Sequence, residues 1–255
     1  MAGGEAIILG SGTSNGVPML GVHYTHEFLA NPKNHRTRSS CLLQGAEGNF
    51  LIDCTPEMRI QLVREDIFSV QEVLITHTHA DHVMGMDDLR SFCIVEGRSL
   101  PVYTLPRYQE DIRRIFPYAF GEYPPGVWVP RFDLKDAPPV IESCGLSIHV
   151  FEVQHGKVPT LAVRVNDFAY VTDVNVIPDA VMSQLQGLDT LVIDAVRHEP
   201  HPNHFHFEAS MEVIEKLSPK KAFLTHLSHE YDHNDYEEKL PDRVRLAYDG
   251  LKIAF

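Results

Sequence analysis

The sequence predicts an α/β fold in which helices pack on the outside of large sheets, and three observations support this prediction. Short runs of β-branched and large apolar residues recur along the chain. Stretches with helical caps or helical apolar spacing lie between several of these runs. The 255 residues have an ordinary globular composition, with 44% hydrophobic and 22% charged residues. Because no linker, repeat or low-complexity segment divides the chain, we expect a single domain over residues 1–255.

The predicted strands are short and are spread over most of the chain. They are Ala6–Leu9, Phe50–Ile52, Val73–Ile75, Val102–Tyr103, Leu161–Val163, Leu191–Ile193 and Ala222–Leu224. Residues 132–173 are predicted to form antiparallel hairpins, and the Pro-containing segments 123–126 and 137–139 are predicted to be loops.

Four helices are predicted between these strands. The first runs from Pro56 to Arg64, with Thr55 as its N-cap and proline at its first position. Two more cover residues 106–116 and 178–186, and the fourth begins near Phe207, where apolar residues recur at i, i+4 and i+7.

Charge and cysteine content exclude several classes of function. The chain has 35 acidic and 22 basic residues and a net charge of −13, which argues against a broad basic surface for duplex DNA or an anionic membrane.

No stretch approaches the ~18 apolar residues of a membrane span, and the N-terminus has no signal-peptide pattern. The four cysteines form no CxxC motif and are expected to be reduced and buried. We therefore expect a cytoplasmic protein.

Apolar strands that stop at a His or Asp give the strongest functional signal. The residues at these strand ends are Asp53, His77, His155, Asp173, Asp194 and His226. Residues at the carboxyl ends of strands in α/β proteins line the functional crevice. The densest cluster, His77–His82, reads His-Thr-His-Ala-Asp-His. Its first two histidines face one side of an extended chain, and a turn can then bring the Asp and the last His alongside. Because imidazole and carboxylate together bind Zn, Mn or Fe, this pattern predicts a transition-metal site.

The HxHxDH segment and the later strand-end residues resemble the ligand signature of the metallo-β-lactamase superfamily. This resemblance implies a four-layer αβ/βα sandwich with two divalent metal ions, Zn or Mn with Fe as an alternative, between the sheets. By position, His77, His79 and His155 would hold one metal, Asp81, His82 and His226 the other, and Asp173 would bridge. The resemblance also implies hydrolysis by a metal-bridging hydroxide, with Asp81 catalytic as well as metal-binding.

Flanking motifs resemble one branch of that superfamily, the PhnP-type phosphoribosyl 1,2-cyclic phosphodiesterases related to tRNase Z. The motifs are residues 10–18 (GSGTSNGVP), Arg38–Ser40, Asn203–His204 and residues 224–229 (LTHLSH). The similarity extends over about residues 7–255. It implies a small phosphodiester, including a ribose cyclic phosphate, as the substrate.

The resemblance to the PhnP-type enzymes implies that His204 is the general acid, and expulsion of an alkoxide near neutral pH does benefit from a positioned proton donor. The surrounding loop is rich in His, so His201 and His206 remain alternatives. Asp53 is expected to orient a ligand His by accepting its ring N–H, or to cap the helix over residues 56–64. Asp194 is either a further residue of the inner site or a simple strand end.

Two polar features near the N-terminus are also candidates for substrate contact. The backbone amides of Gly10–Asn15 could face phosphate, and a plain turn between strands is the alternative. Arg38 could pair with phosphate, although a structural ion pair is favoured.

The loop after GVP departs from the PhnP pattern, in which three cysteines form a structural zinc site. The corresponding positions here are Val22, Tyr24 and Glu27. Three histidines, His23, His26 and His229, could rebuild the site, whereas a loop held by packing is the favoured alternative.

The leading hypothesis is a dinuclear-metal phosphodiesterase that acts on a small diester. A tRNase Z-like nuclease ranks lower, since residues 118–135 form a short insert and not a basic arm for extended nucleic acid. A thioester or lactone hydrolase would use the same metals. A non-catalytic binding protein is disfavoured because all the ligand positions are filled. A homodimer remains open.

Overall fold

A computed structural model describes residues 3–124, 126–236 and 238–255, so Pro125 of the predicted loop at 123–126 lies outside the described residues. Its strands form two seven-stranded sheets. The strands of the first sheet are β1 (Glu5–Gly10), β2 (Ser40–Gly45), β3 (Gly48–Ile52), β4 (Glu72–Leu74), β5 (Leu100–Thr104), β6 (Phe132–Asp136) and β14 (Leu251–Ala254). Their order is β14-β1-β2-β3-β4-β5-β6. Pairing is antiparallel from β14 to β3 and parallel from β3 to β6.

The second sheet repeats this arrangement. Its strands are β7 (Val140–Ser143), β8 (Leu146–His155), β9 (Val158–Val165), β10 (Phe168–Val171), β11 (Thr190–Asp194), β12 (Lys221–Thr225) and β13 (Val244–Leu246). They follow one another in the order β13-β12-β11-β10-β9-β8-β7, antiparallel from β7 to β10 and parallel from β10 to β13. The prediction of hairpins over residues 132–173 is therefore correct for β7–β10 and wrong for β6, which pairs in parallel with β5.

Helices connect the strands, and several of them pack on the outer faces of the two sheets. They are α1 (His26–Ala30), α2 (Met58–Arg64), α3 (Ala80–Val83), α4 (Arg90–Glu96), α5 (Pro106–Ile115), α6 (Asp179–Gln184), α7 (Phe207–Leu217) and α8 (His233–Tyr236). The predicted start of α2 is wrong: the helix begins at Met58, and the Thr55 hydroxyl donates to Gln61 Oε1 (2.9 Å) instead of capping it. No helix among the described residues is long and apolar enough to cross a membrane. The cytoplasmic location stays a prediction.

Alternation along the strands divides the apolar residues between three cores, which confirms the four-layer α/β sandwich. Ile8, Phe50 and Tyr170 point into the core between the two sheets. Residues that alternate with them face outward, where Leu51 packs with α2, α4 and α5 on the first sheet. Ile193 packs in the same way with α6 and α7 on the second.

The parallel halves of the two sheets decide where the polar residues gather. The chain leaves β3, β4, β10, β11 and β12 at their carboxyl ends, and each of these ends carries one of the predicted His or Asp residues. Since the inter-sheet core is apolar, the functional side chains collect at one rim of the sandwich.

Candidate metal centre

The segment His77–His82 changes conformation halfway, as its spacing predicts. His77 and His79 lie in extended chain beyond β4, and α3 begins at Ala80. The first turn of α3 brings Asp81 and His82 back toward the strand end, so that His82 Nε2 lies 3.3 Å from Asp81 Oδ2.

The first group of candidate ligands consists of His77, His79 and His155, whose ligand atoms lie within 4.8 Å of one another. His77 Nε2 and His79 Nδ1 are 2.8 Å apart. His155 ends β8 on the opposite sheet, and its Nδ1–H donates to the carbonyl oxygen of Asn203 (2.7 Å). This bond directs the other ring nitrogen of His155 into the cluster.

The second group consists of Asp81, Asp173 and His226, again with ligand atoms within 4.8 Å. Asp173 is central: its Oδ2 lies 3.2 Å from His82 Nε2 and 3.9 Å from His77 Nε2, and its Oδ1 lies 3.1 Å from His226 Nδ1. Asp173 thus contacts residues of both sets, as expected of a bridging ligand.

Two buried ring nitrogens test whether this cluster fits metal ions. Among the described residues, Nε2 of His82 and Nε2 of His226 are buried and make no regular hydrogen bond. Such atoms are costly to bury unless something binds them. Both rings have their other nitrogen occupied: His82 Nδ1 faces Asp53, and His226 Nδ1 faces the Ser39 hydroxyl (3.1 Å). Nε2 of each ring is therefore left to bind a divalent cation, and for His82 this nitrogen faces the carboxylates of Asp81 and Asp173.

Burial keeps most of these histidines neutral, which metal binding requires. It lowers the pKa of His77, His79 and His226 below the usual value and that of His155 to about 4. Burial opposes protonation of His82 as well, but the surrounding carboxylates of Asp173, Asp53 and Asp81 outweigh it and raise its pKa. This excess of negative charge favours cations at the centre.

Asp53 orients His82, and capping of the nearby helix is not its role. Its Oδ2 accepts from His82 Nδ1 (2.7 Å), and its two oxygens also accept from the amide and hydroxyl of Thr76. The close approach of α3 to this loop depends on Gly85, where a Cβ would overlap the Thr55 carbonyl oxygen.

His204 is the histidine of the 198–206 loop that reaches the cluster. Its ring centroid lies 4.3 Å from that of His155 and 4.7 Å from that of His226. His201 stands farther out, beside His204 (5.0 Å), and His206 lies near Glu208 at the start of α7. Of the three predicted candidates, His204 has the position that a proton donor needs.

Asp194 holds the His204 ring and is the residue that the sequence left undecided. His204 Nδ1–H donates to Asp194 Oδ2 (2.7 Å), which also accepts from the amide of Val174 (3.0 Å). Burial disfavours a charged His204, but the Asp194 carboxylate outweighs this effect and raises its pKa to about 9. Asp194 at the end of β11 thus repeats the arrangement of Asp53 after β3. An Asp at the end of an apolar strand is therefore the sequence signal that could have identified Asp194 as a residue that orients a histidine.

The N-terminal loop contributes less than predicted to anion binding. The amides of Ser11, Gly12 and Thr13 donate to Asp249, Thr37 and Leu227, so these three cannot face phosphate. Arg38 forms an ion pair with Glu57 and donates to the carbonyl oxygen of Ser14 (3.0 Å). The favoured structural role of Arg38 is therefore confirmed.

The region of the absent cysteines is held by packing. The ring of Tyr24 stacks on Phe28 (4.8 Å) and meets His229 edge-on (6.4 Å), and its hydroxyl accepts from the amide of Met19 (2.7 Å). None of the candidate metal groups found in the described ranges contains His23, His26 or His229. In the described structure His23, His26 and His229 therefore do not come together as a three-residue ligand group.

Comparison with known proteins adds sequence and fold relationships to this geometry. Residues 48–227 match the family described as the beta-lactamase superfamily domain. The crystal structure of a diphosphatase from the PhnP family is 34% identical and superposes with a TM-score of 0.90, over 99% of this chain and 97% of that one.

Two curated relatives are longer than this chain. The octanoyltransferase of Porphyromonas gingivalis is 34% identical over 254 residues, which are 97% of this chain and 51% of that protein. A ribonuclease Z of a Synechococcus strain is 27% identical over 198 residues, which are 72% of this chain and 57% of that protein. The chain therefore spans about half the length of these relatives.

Proposed function

Because this chain belongs to the metallo-β-lactamase superfamily, in the branch that contains the PhnP family and ribonuclease Z, we propose that it is a dinuclear-metal hydrolase of small phosphodiesters. One observation carries the proposal. Asp173 lies 3.9 Å from His77 of the first group of candidate ligands and 3.1 Å from His226 of the second, and the proton donor His204 lies directly beside them.

In this proposal each ligand set combines residues of both sheets. His77, His79 and His155 would hold one ion, Asp81, His82 and His226 would hold the other, and Asp173, which contacts residues of both sets, would be shared. When bound, the two cations neutralise phosphate charge and supply an activated water for in-line attack.

The protein's own residues orient the site and move the proton. Asp53 fixes His82 in the tautomer that leaves Nε2 unprotonated, and the Asn203 carbonyl does the same for His155. His204 donates a proton to the departing oxygen, and Asp194 keeps its imidazole charged and oriented until that transfer.

The shape and charge of the protein favour a small substrate. A cavity of about 280 Å³ adjoins His204 and could hold a nucleotide-sized group. A long RNA would need a positive track along its backbone, and a chain of net charge −13 without a basic arm offers none. A ribose cyclic phosphate is a compact diester of suitable size.

A diphosphate diester is the second candidate substrate, because a PhnP-family relative that is 34% identical is a diphosphatase. The same metals and His204 would serve both reactions, which differ in the group that departs from phosphorus. In a diphosphate diester this leaving group is itself a phosphate.

Hydrolysis by the metal-reconstituted protein tests the function. The panel compares thymidine 5′-(4-nitrophenyl phosphate), 4-nitrophenyl phosphate, ribose 1,2-cyclic phosphate, an octanoyl thioester, a lactone and a precursor tRNA. We expect the highest kcat/KM for a diester. Preference for the tRNA or the monoester would contradict the proposal, and turnover of the thioester or lactone alone would replace it.

A matched pair of variants ties the activity to the site. Asp173→Asn should abolish diester hydrolysis, whereas Asp133→Asn, at an exposed carboxylate on β6, should retain it. Equal loss in both variants would mean that the measured turnover does not come from this centre.

A further inference from the structure

The cavity of about 280 Å³ beside His204 has an unusual lining for so acidic a protein. The residues that matter are Ser14, Asn15, Arg197, His201, His229 and Glu230. Most of them present N–H groups, and Glu230 is the acidic member. We propose that this cavity binds the leaving group of the substrate, that the leaving group carries a phosphate, and that His229 determines this specificity. The inference rests on the proposed phosphodiesterase function.

Backbone amides on one wall are available to an anion. Ser14 and Asn15 occupy the middle of a turn that the Gly16 amide closes on the Thr13 carbonyl oxygen (2.7 Å). Within the described residues, the amides of Ser14 and Asn15 donate no hydrogen bond. They are the two amides of the N-terminal loop that remain for a ligand, and adjacent free amides of this kind bind anionic oxygens.

Side chains on the facing wall add donors and positive charge. His201 Nδ1 accepts from the Asn203 amide (3.2 Å), so its proton lies on Nε2, where it can be donated. Arg197 is held by the carbonyl oxygens of Glu199 and Pro200, which fixes a permanent positive charge at the cavity. One carboxylate oxygen of Glu230 accepts from the His198 amide (3.1 Å).

His229 lines the cavity next to the altered loop. Tyr24 occupies one of the positions where related proteins have zinc-binding cysteines, and its ring supports His229 edge-on. No hydrogen bond of the His229 ring nitrogens is found among the described residues, so these nitrogens are available to substrate. A phosphate oxygen matches these donors better than an uncharged group does.

The reaction leaves this phosphate unchanged. Water supplies the oxygen that bonds to the attacked phosphorus, and the bond from that phosphorus to the leaving oxygen breaks. His204 protonates the leaving oxygen and regains a proton from the attacking water. The second phosphate stays on the leaving group, where Ser14, Asn15 and His229 hold it through the reaction.

Two substrates that differ in the leaving group test the inference. Thymidine 5′-(4-nitrophenyl phosphate) releases 4-nitrophenolate, which carries no phosphate, whereas P1-thymidine P2-(4-nitrophenyl) diphosphate releases 4-nitrophenyl phosphate. Both reactions yield thymidine monophosphate. His229→Phe keeps a ring against Tyr24 but removes the donors. His229→Gln restores an N–H, and His26→Phe makes the same change at an exposed site outside the cavity.

We expect the ratio of kcat/KM, diphosphate over nitrophenyl ester, to fall about tenfold in His229→Phe, as for the loss of one charge-assisted hydrogen bond. The ratio should recover in His229→Gln and stay at the wild-type value in His26→Phe. An unchanged ratio in His229→Phe would overturn the inference and leave the phosphodiesterase proposal intact.

Binding separates the two proposals further. Calorimetry with 4-nitrophenyl phosphate as the probe should show weaker binding to His229→Phe than to the wild type. Equal affinity would overturn the inference even if neither diester were hydrolysed, an outcome that would itself refute the phosphodiesterase proposal.

Discussion

Exchanging Asp194 for asparagine removes the negative charge that faces His204 while it keeps the size of the side chain. The side-chain oxygen of asparagine can still accept hydrogen bonds from His204 Nδ1 and from the Val174 amide. Both hydrogen bonds of Asp194 can therefore form in the variant. The variant therefore tests the charge of Asp194 and not its shape.

The magnitude follows from the shifted pKa. His204 has a pKa of about 9 in the folded protein, against roughly 6.5 in an unfolded chain. A difference of about 2.5 units is worth roughly 3 kcal/mol. The side chain of His204 is 11% exposed, so solvent screens little of it. Because folding raises the pKa of His204, its contribution to the free energy of unfolding is fully present below the pKa of the unfolded chain. The contribution is lost as the pH rises through about 9.

The assay is urea unfolding of metal-depleted wild type and Asp194→Asn at about pH 6 and about pH 9. We expect the wild type to be more stable by up to roughly 3 kcal/mol at the lower pH, and this advantage to shrink at the higher pH. Other titrating groups are common to both proteins and cancel in the difference. Asp133→Asn, at an exposed carboxylate, serves as the control. A stability difference that is the same at both pH values would refute the reasoning.

Three further substitutions have defined outcomes. Asp173→Ala should lose metal and nearly all activity, because Asp173 contacts ligands of both sets; full occupancy by elemental analysis would contradict its bridging role. His204→Ala should retain metal but slow turnover by ~10²–10⁴-fold, and less for nitrophenyl esters, whose leaving group needs no proton; equal losses for alkyl and nitrophenyl substrates would show that His204 is not the acid. Gly85→Ala should lower the free energy of unfolding in urea by about 2 kcal/mol, because the new methyl group overlaps the Thr55 carbonyl oxygen. An unchanged free energy of unfolding would show that α3 can shift to accommodate the methyl group without cost.

Residues that cluster at the rim could be predicted because each follows an apolar strand within one to three residues. His77, Asp173 and His226 stand at strand ends, and parallel strands deliver such residues to one edge of a sheet. The local order of residues along the chain was enough in these cases.

Pairings between distant segments could not be predicted in the same way. Asp194 was visible as a strand end, but its bond to His204 depends on how the 198–206 loop folds over β11. Likewise, Asp249 and Leu227 decide which amides of the N-terminal loop are hydrogen-bonded, and both residues lie more than 200 positions further along the chain. The prediction of a hairpin was wrong for β6 because the sequence pattern of a short strand does not show which strand it will pair with.

The two sheets have the same sequence of antiparallel and parallel pairings, yet neither sheet supplies all the residues of either of the two proposed ligand sets. His77 and His79 come from the first sheet and need His155 from the second, while Asp81 needs Asp173 and His226 across the same gap. During synthesis the first sheet's ligands leave the ribosome early, but the centre cannot close until His226 has followed them. A nascent chain stalled before that residue would therefore carry most of the protein and an incomplete site.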